Sequence, residues 1–241
     1  MMTKEQEEEI TDYLMLHRLP LDILLEVKDH MISQIADIQM EENVGFDEAF
    51  LKTKKLWGSE FKMTRYSIFY QEQIPVIVKK IAKARYNNIL KKSLLLGLIS
   101  FAVNILLIFL ANNEEVYSTL FKIQNGLFVL FTFGVWFFNR KIWKYVKQDF
   151  KYRGRLFYSM YQQNTGLLVV SMTSMTQIIS KKGIYPYLFF RTNDHSEIIF
   201  VLATLVLPYC IQVIIIFGLI NFFEHKKSLE KMKDFLNLSA E

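Results

Sequence analysis

The sequence of 241 residues contains one cysteine, Cys210, which excludes an internal disulfide and any cysteine-based zinc site. Cys210 lies inside an apolar run, where a free thiol behaves as a small hydrophobe. Signatures of common chemistry are missing too: there is no His-Glu-x-x-His, no Gly-x-Ser-x-Gly and no glycine-rich phosphate loop. No catalytic residue, cofactor or metal ion is expected, and the chain reads as a non-enzyme. Its first residues, Glu5, Gln6, Glu7, Glu8 and Glu9 among them, hold no apolar stretch. That is the opposite of a secretory signal peptide, so the front of the chain is expected to stay in the cytoplasm. Acidic and basic residues are absent from the middle of the long apolar runs. Ion-coupled carriers place ionisable groups there despite their expense in lipid, so the absence argues against such a carrier.

What the chain does have is length of apolar sequence. A helix crosses a ~30 Å hydrocarbon core with about 20 mostly apolar residues at ~1.5 Å each. Leu94 to Ala111 meets that need, with Asn104 as its strongly polar member. A second run, Ile123 to Phe138, reaches spanning length by extending back to Leu120, with Lys122 snorkelling to the interface. Gly166 to Ser180 is rich in Ser and Thr, carries Gln177, and needs residues from about 160 onward to span. Ile198 to Phe223 is the longest and accommodates Pro208 as a kink. The expected spans are therefore about 94–111, 120–138, 160–180 and 198–223.

Charge distribution gives an independent reading. The net charge of +5 divides into −7 over Met1 to Lys62 and +12 over the remainder. Those bases flank the apolar runs, which points to anionic lipid headgroups and membrane orientation, with no direct nucleic-acid binding expected. Seventeen Lys and Arg lie within 79–92 just before the first run, between the second and third, and after the last; four lie in the other two connections. Short cytoplasmic loops retain Lys and Arg, so the alternation predicts an even number of crossings with both termini cytoplasmic.

The first 75 residues predict an acidic bundle of short helices with no competing strand pattern. Thr3 caps a first helix bearing Ile10, Tyr13, Leu14 and His17 at helical spacing. Pro20 opens a second helix that runs to about Glu42, and Gly45 precedes a third that lasts to Trp57. Gly58 is expected to close that helix and Ser59 to cap whatever follows. Pro75 then separates the domain from Val76 to Lys92, a basic amphipathic stretch. It suits either a helix lying on the membrane surface or a solvated helix joining domain to membrane.

The order Leu19-Pro20, Glu26, Asp29-His30, Gly45, Glu48-Ala49 and Trp57-Gly58-Ser59 resembles a small bacterial helical domain over about residues 8–62. This is the HAAS (DUF1700-like) signalling domain, similar to the permease-prefix domain at the head of some transporter subunits. Trp57 stands where the family more often has Leu, and the turn before Gly45 is longer than usual. The resemblance implies a signalling or regulatory adaptor, often followed by several membrane helices and often encoded beside a PadR-type regulator.

Together these readings predict an all-α polytopic protein of a bacterial cytoplasmic (inner) membrane. Its parts are an acidic domain (1–75), a basic linker helix (76–92), a four-helix membrane region (93–223) and a cytoplasmic tail (224–241). Glu26, Asp29, His30 and Trp57 are the candidate residues for a cytoplasmic protein partner, for which a PadR-like regulator is one identity. Glu26 and His30 share a helix face, where a helix-stabilising pair is the plainer reading. Asn104, Asn125, Gln177 and Gln212 are the candidate intramembrane polar residues, read first as hydrogen bonds between helices and second as a polar substrate path. The expected function is that of a regulatory membrane protein, capable of homo-oligomerisation; a transporter subunit is the alternative.

Overall fold

The computed structural model describes residues 2–17, 19–65, 73–139, 165–180, 183–192 and 197–238. Among them are eight helices and one two-stranded hairpin, so the protein is mostly helical. Two compact units divide the described residues: 2–86 with 225–238, and 87–224.

In the first unit α1 (Lys4–Met15) begins at Thr3, whose hydroxyl accepts from the Gln6 amide while the Gln6 side chain accepts from the Thr3 amide. This reciprocal box satisfies two of the amides that a helix start leaves unpaired. The second helix, α2 (Leu21–Glu42), starts directly after Pro20 and ends at Asn43, which takes a left-handed φ of 52°. Asparagine tolerates that conformation better than most residues, so the helix stops there. In α3 (Phe46–Trp57), Asp47 and Glu48 occupy the first turn and Lys54 and Lys55 the last, each complementing the helix dipole.

Two expectations fail after Trp57. Ser59 caps no helix, because Met63–Arg65 forms strand β1, paired antiparallel with β2 (Gln73–Pro75). Pro75 ends its strand, a place where a missing amide donor is tolerated. The amides of Val76 and Ile77 then donate to the carbonyls of Lys62 (3.0 Å) and Glu60 (2.9 Å).

That anchoring opens α4 (Val76–Leu110), a single helix of 35 residues and roughly 52 Å. The stretch 76–92 is thus not an element apart from the first apolar run. Its Val78 is buried with Leu14, Leu24, Met31 and Phe50, and Ile77 and Ile81 pack against them. An amphipathic stripe reads the same whether it meets lipid or a protein core, and here it completes a core.

The second unit takes in the apolar part of α4, α5 (Glu114–Phe138), α6 (Thr165–Ser180), α7 (Tyr185–Arg191) and most of α8 (Ile198–Leu238). Asn113 caps α5 by accepting from the Val116 amide at 2.8 Å. Among the described residues, three helical stretches are long and apolar enough to cross a membrane: Val76–Leu110, Glu114–Val135 and Ile198–Ser228. Leu95, Leu98, Leu130, Phe131 and Ile199 stay exposed on them, a surface that suits hydrocarbon and not water. The α6 helix has 16 residues, about 24 Å, short of a full crossing. Residues 160–164, which the expected third span requires, lie outside the described residues. After 223 the α8 helix continues to Leu238, and its described residues from 225 onward belong to the first unit.

Two apolar clusters hold the second unit together. One joins Ile108 of α4, Tyr117 and Phe121 of α5, Tyr187 of α7 and Leu205 of α8. The other joins Val129 of α5, Met172 and Met175 of α6, and Ile215 and Leu219 of α8.

Candidate functional site

In the first unit, chemistry gathers where α2 meets the start of α4. Asp22 and Glu26 lie one turn apart on α2, and both face Arg85 of α4. The guanidinium bonds Glu26 directly, and its Nη1 lies 3.5 Å from Asp22 Oδ2. Asp22 is the unusual member: its side chain is 5% exposed, and neither carboxylate oxygen has a well-formed hydrogen bond. Burial pushes its carboxyl up to about 6, against the opposing pull of Arg85.

Of the residues expected to meet a partner, Glu26 is therefore occupied by Arg85, not by His30. Asp29 and His30 are exposed on α2, with the Asp29 carbonyl accepting from the Ser33 hydroxyl at 3.0 Å. Trp57 donates its indole N–H to Gln34 Oε1 at 2.7 Å and stacks on Phe61. It ties α3 to α2. Sequence reasoning passed over Asp22, which looked like an ordinary first-turn acid. It also missed Arg85, counted only among the basic flank of the first span.

His17 is another titratable group in this unit with a displaced equilibrium. It stacks on Phe61 at 4.3 Å and meets Tyr13 edge-on, and burial holds its imidazole below the usual value. Among the described residues, no group of three or more His, Cys, Asp or Glu is placed to hold a metal ion.

In the second unit, buried polar side chains meet in pairs between helices. Tyr117 of α5 donates to Asn104 Oδ1 of α4 at 2.9 Å. Asn125 of α5 donates to the Phe121 carbonyl at 2.8 Å and accepts from Gln212 Nε2 of α8 at 2.9 Å. Gln124 donates to the carbonyl and hydroxyl of Ser100 on α4. Three of the four candidate intramembrane residues, Asn104, Asn125 and Gln212, are thus buried and joined as interhelical hydrogen bonds; Gln177 lies exposed on α6. In a membrane such bonds contribute about 0.6 kcal/mol on average and at most about 1.7. Gln212→Leu is expected to destabilise the full chain within that range, read by reversible denaturation in bicelles.

These features define a helical membrane protein with a separately packed helical unit at its front. No family model matches the chain, and neither does any curated protein or solved structure.

Proposed function

We propose that this chain is a non-enzymatic regulatory protein of a bacterial cytoplasmic membrane, whose acidic front unit binds a protein partner on the cytoplasmic side. The observation that carries the reading is the continuity of α4. Its first turns are built into the core of the acidic unit at Val78, and the same helix goes on to be long and apolar enough for the first span. A partner bound to the front unit therefore acts on a rod that enters the membrane. The resemblance of residues 8–62 to HAAS-type signalling domains supports the same reading, and a PadR-like regulator is the partner it suggests. Four crossings with both termini inside are the reading of the loop charges, with α6 in the third. Asp29 and His30 remain available to a partner, whereas Glu26 and Trp57 act within the unit.

The transporter-subunit reading ranks second. What favours it is the set of buried amides, which would serve a polar solute if they exchanged their present bonds.

One experiment tests both topology and function on the full chain in cells. With Cys210→Ser as background, Asn113→Cys is expected to react with a membrane-impermeant maleimide from outside. Ser59→Cys and Lys147→Cys are expected to react only after permeabilisation. A photo-crosslinker at His30 is expected to capture one discrete cytoplasmic protein. Labelling of Ser59→Cys from outside, or no crosslinked protein at all, would overturn the proposal.

A further inference from the structure

We propose that the outward face of α4 over residues 87–99 binds one anionic phospholipid, its phosphate held by Asn87, Asn88, Lys91 and Lys92 and its acyl chains laid along Leu95, Leu98 and Ile99. The inference rests on α4 as the first crossing, which the labelling of Asn113→Cys tests separately, and on nothing about the protein that meets the front unit.

Residues three and four apart share a helix face, so 87 and 88, 91 and 92, 95, and 98 and 99 form one track along α4. The opposite side is fixed by packing: Ile89 and Ser93 are buried, and Gly97 lies against Val213 of α8. On the outward track the polarity changes once. Asn87, Asn88, Lys91 and Lys92 are exposed, and from Leu95 onward the track is hydrocarbon, with Leu95 62%, Leu98 52% and Ile99 57% exposed. A phospholipid has the same order, an anionic head followed by apolar chains. Helical side chains lean towards the helix start, so the two lysines reach back over the turn of Asn87 and Asn88. Two charges and two amide donors are thereby gathered within about one and a half turns.

None of these four polar side chains has a hydrogen bond or ion pair among the described residues, which sets them apart from their neighbours. Earlier on the helix, Lys79 donates to the Arg65 carbonyl at 2.8 Å and Lys80 pairs with Glu60 at 2.6 Å. Further along, Asn104, Gln124, Asn125 and Gln212 are all bonded within the second unit. A basic residue beside an anionic membrane surface strengthens attachment by roughly fivefold. The two amides add N–H donors for phosphodiester oxygens, which a bare surface charge does not supply. A water-soluble phosphate would leave the leucine face uncovered, so the occupant that matches the whole track is a lipid.

Native mass spectrometry of the full chain released from detergent micelles counts the lipids that stay bound. Titration with phosphatidylglycerol is expected to fill one site at least about tenfold more tightly than phosphatidylcholine does. Lys91→Gln with Lys92→Gln should weaken that site roughly twentyfold, near the product of two such factors, whereas Lys91→Arg with Lys92→Arg should keep it. Lys83→Gln with Lys227→Gln removes the same net charge from two other exposed lysines, Lys83 lying about 12 Å before Lys91 along the helix. That pair should stay within about twofold of wild type, since its charges lie off the track. Glycerol phosphate, which has the head but no chains, should not compete at matched concentration. Every substituted side chain is exposed, and unchanged helicity by circular dichroism shows that each variant is folded. Equal binding of the two lipids, no loss in the Lys91 and Lys92 glutamine pair, an equal loss in the charge-matched pair, or displacement by glycerol phosphate would each overturn the proposal.

Discussion

Replacing Phe50 with alanine is expected to unfold the front unit at neutral pH. The ring is 1% exposed and lies among the side chains that join α1, α2, α3 and α4. Tyr13 meets it edge-on at 5.7 Å, Phe46 stacks on it at 5.4 Å, and the Lys54 ammonium sits 4.0 Å from its centroid. Truncating a buried Phe costs about 3–5 kcal/mol. Native domains are stable by only about 5–15 kcal/mol, so the loss is a large share of that margin. Limited proteolysis and hydrogen exchange should show α1 to α3 unprotected in Phe50→Ala. Leu51, the next residue, is half exposed, and Leu51→Ala should fall within about 0.5 kcal/mol of wild type. Equal protection of the two variants would mean that the Phe50 cluster is not the core.

The second large effect is expected at Gly97, in the apolar part of α4. A Cβ there would meet Val213 Cγ2 of α8 at 2.5 Å and the Tyr209 ring at 3.2 Å. Tyr209 can swing aside, but Val213 is β-branched and stiff at χ1, so helix separation becomes the alternative to a clash. Overpacking of this kind costs about 1–3 kcal/mol, and a leucine exceeds what an alanine would demand. Gly97→Leu should lower the denaturation midpoint of the full chain in bicelles, and Gly97→Ala should do so less. Val213→Ala should recover most of the loss in the Gly97→Ala background. Gly126 and Gly134 of α5 have open space around the corresponding position. Alanine at either should be neutral or stabilising by up to about 1 kcal/mol, since glycine is the poorer helix former. If Gly97→Ala matched them, the α4–α8 approach would be wrong.

Local signals in the sequence were the legible ones. Thr3 with Gln6, Pro20 before Leu21 and Gly45 before Phe46 each marked a helix start within a few residues of the physics that makes it. Strands of three residues carry too little alternation to be read, so the hairpin of Met63–Arg65 and Gln73–Pro75 went unseen. Pairings at long range were illegible for a different reason. Glu26 and Arg85 are 59 residues apart, and Asn125 and Gln212 are 87 apart. Composition showed that polar groups sat in the apolar runs, but not which would meet. The burial of Asp22 depends on α4 returning to cover α2, and no property of its own helix announces that.

The amide pairs inside the second unit carry an electrical consequence. Moving one elementary charge through a membrane potential of about 100 mV exchanges about 2.3 kcal/mol, which is how voltage-sensing helices are driven. Asn104, Tyr117, Asn125 and Gln212 hold the helices together through neutral dipoles. If those bonds rearrange, almost no gating charge moves with them. Among the described residues, these interhelical bonds therefore give the membrane voltage almost no charge to act on.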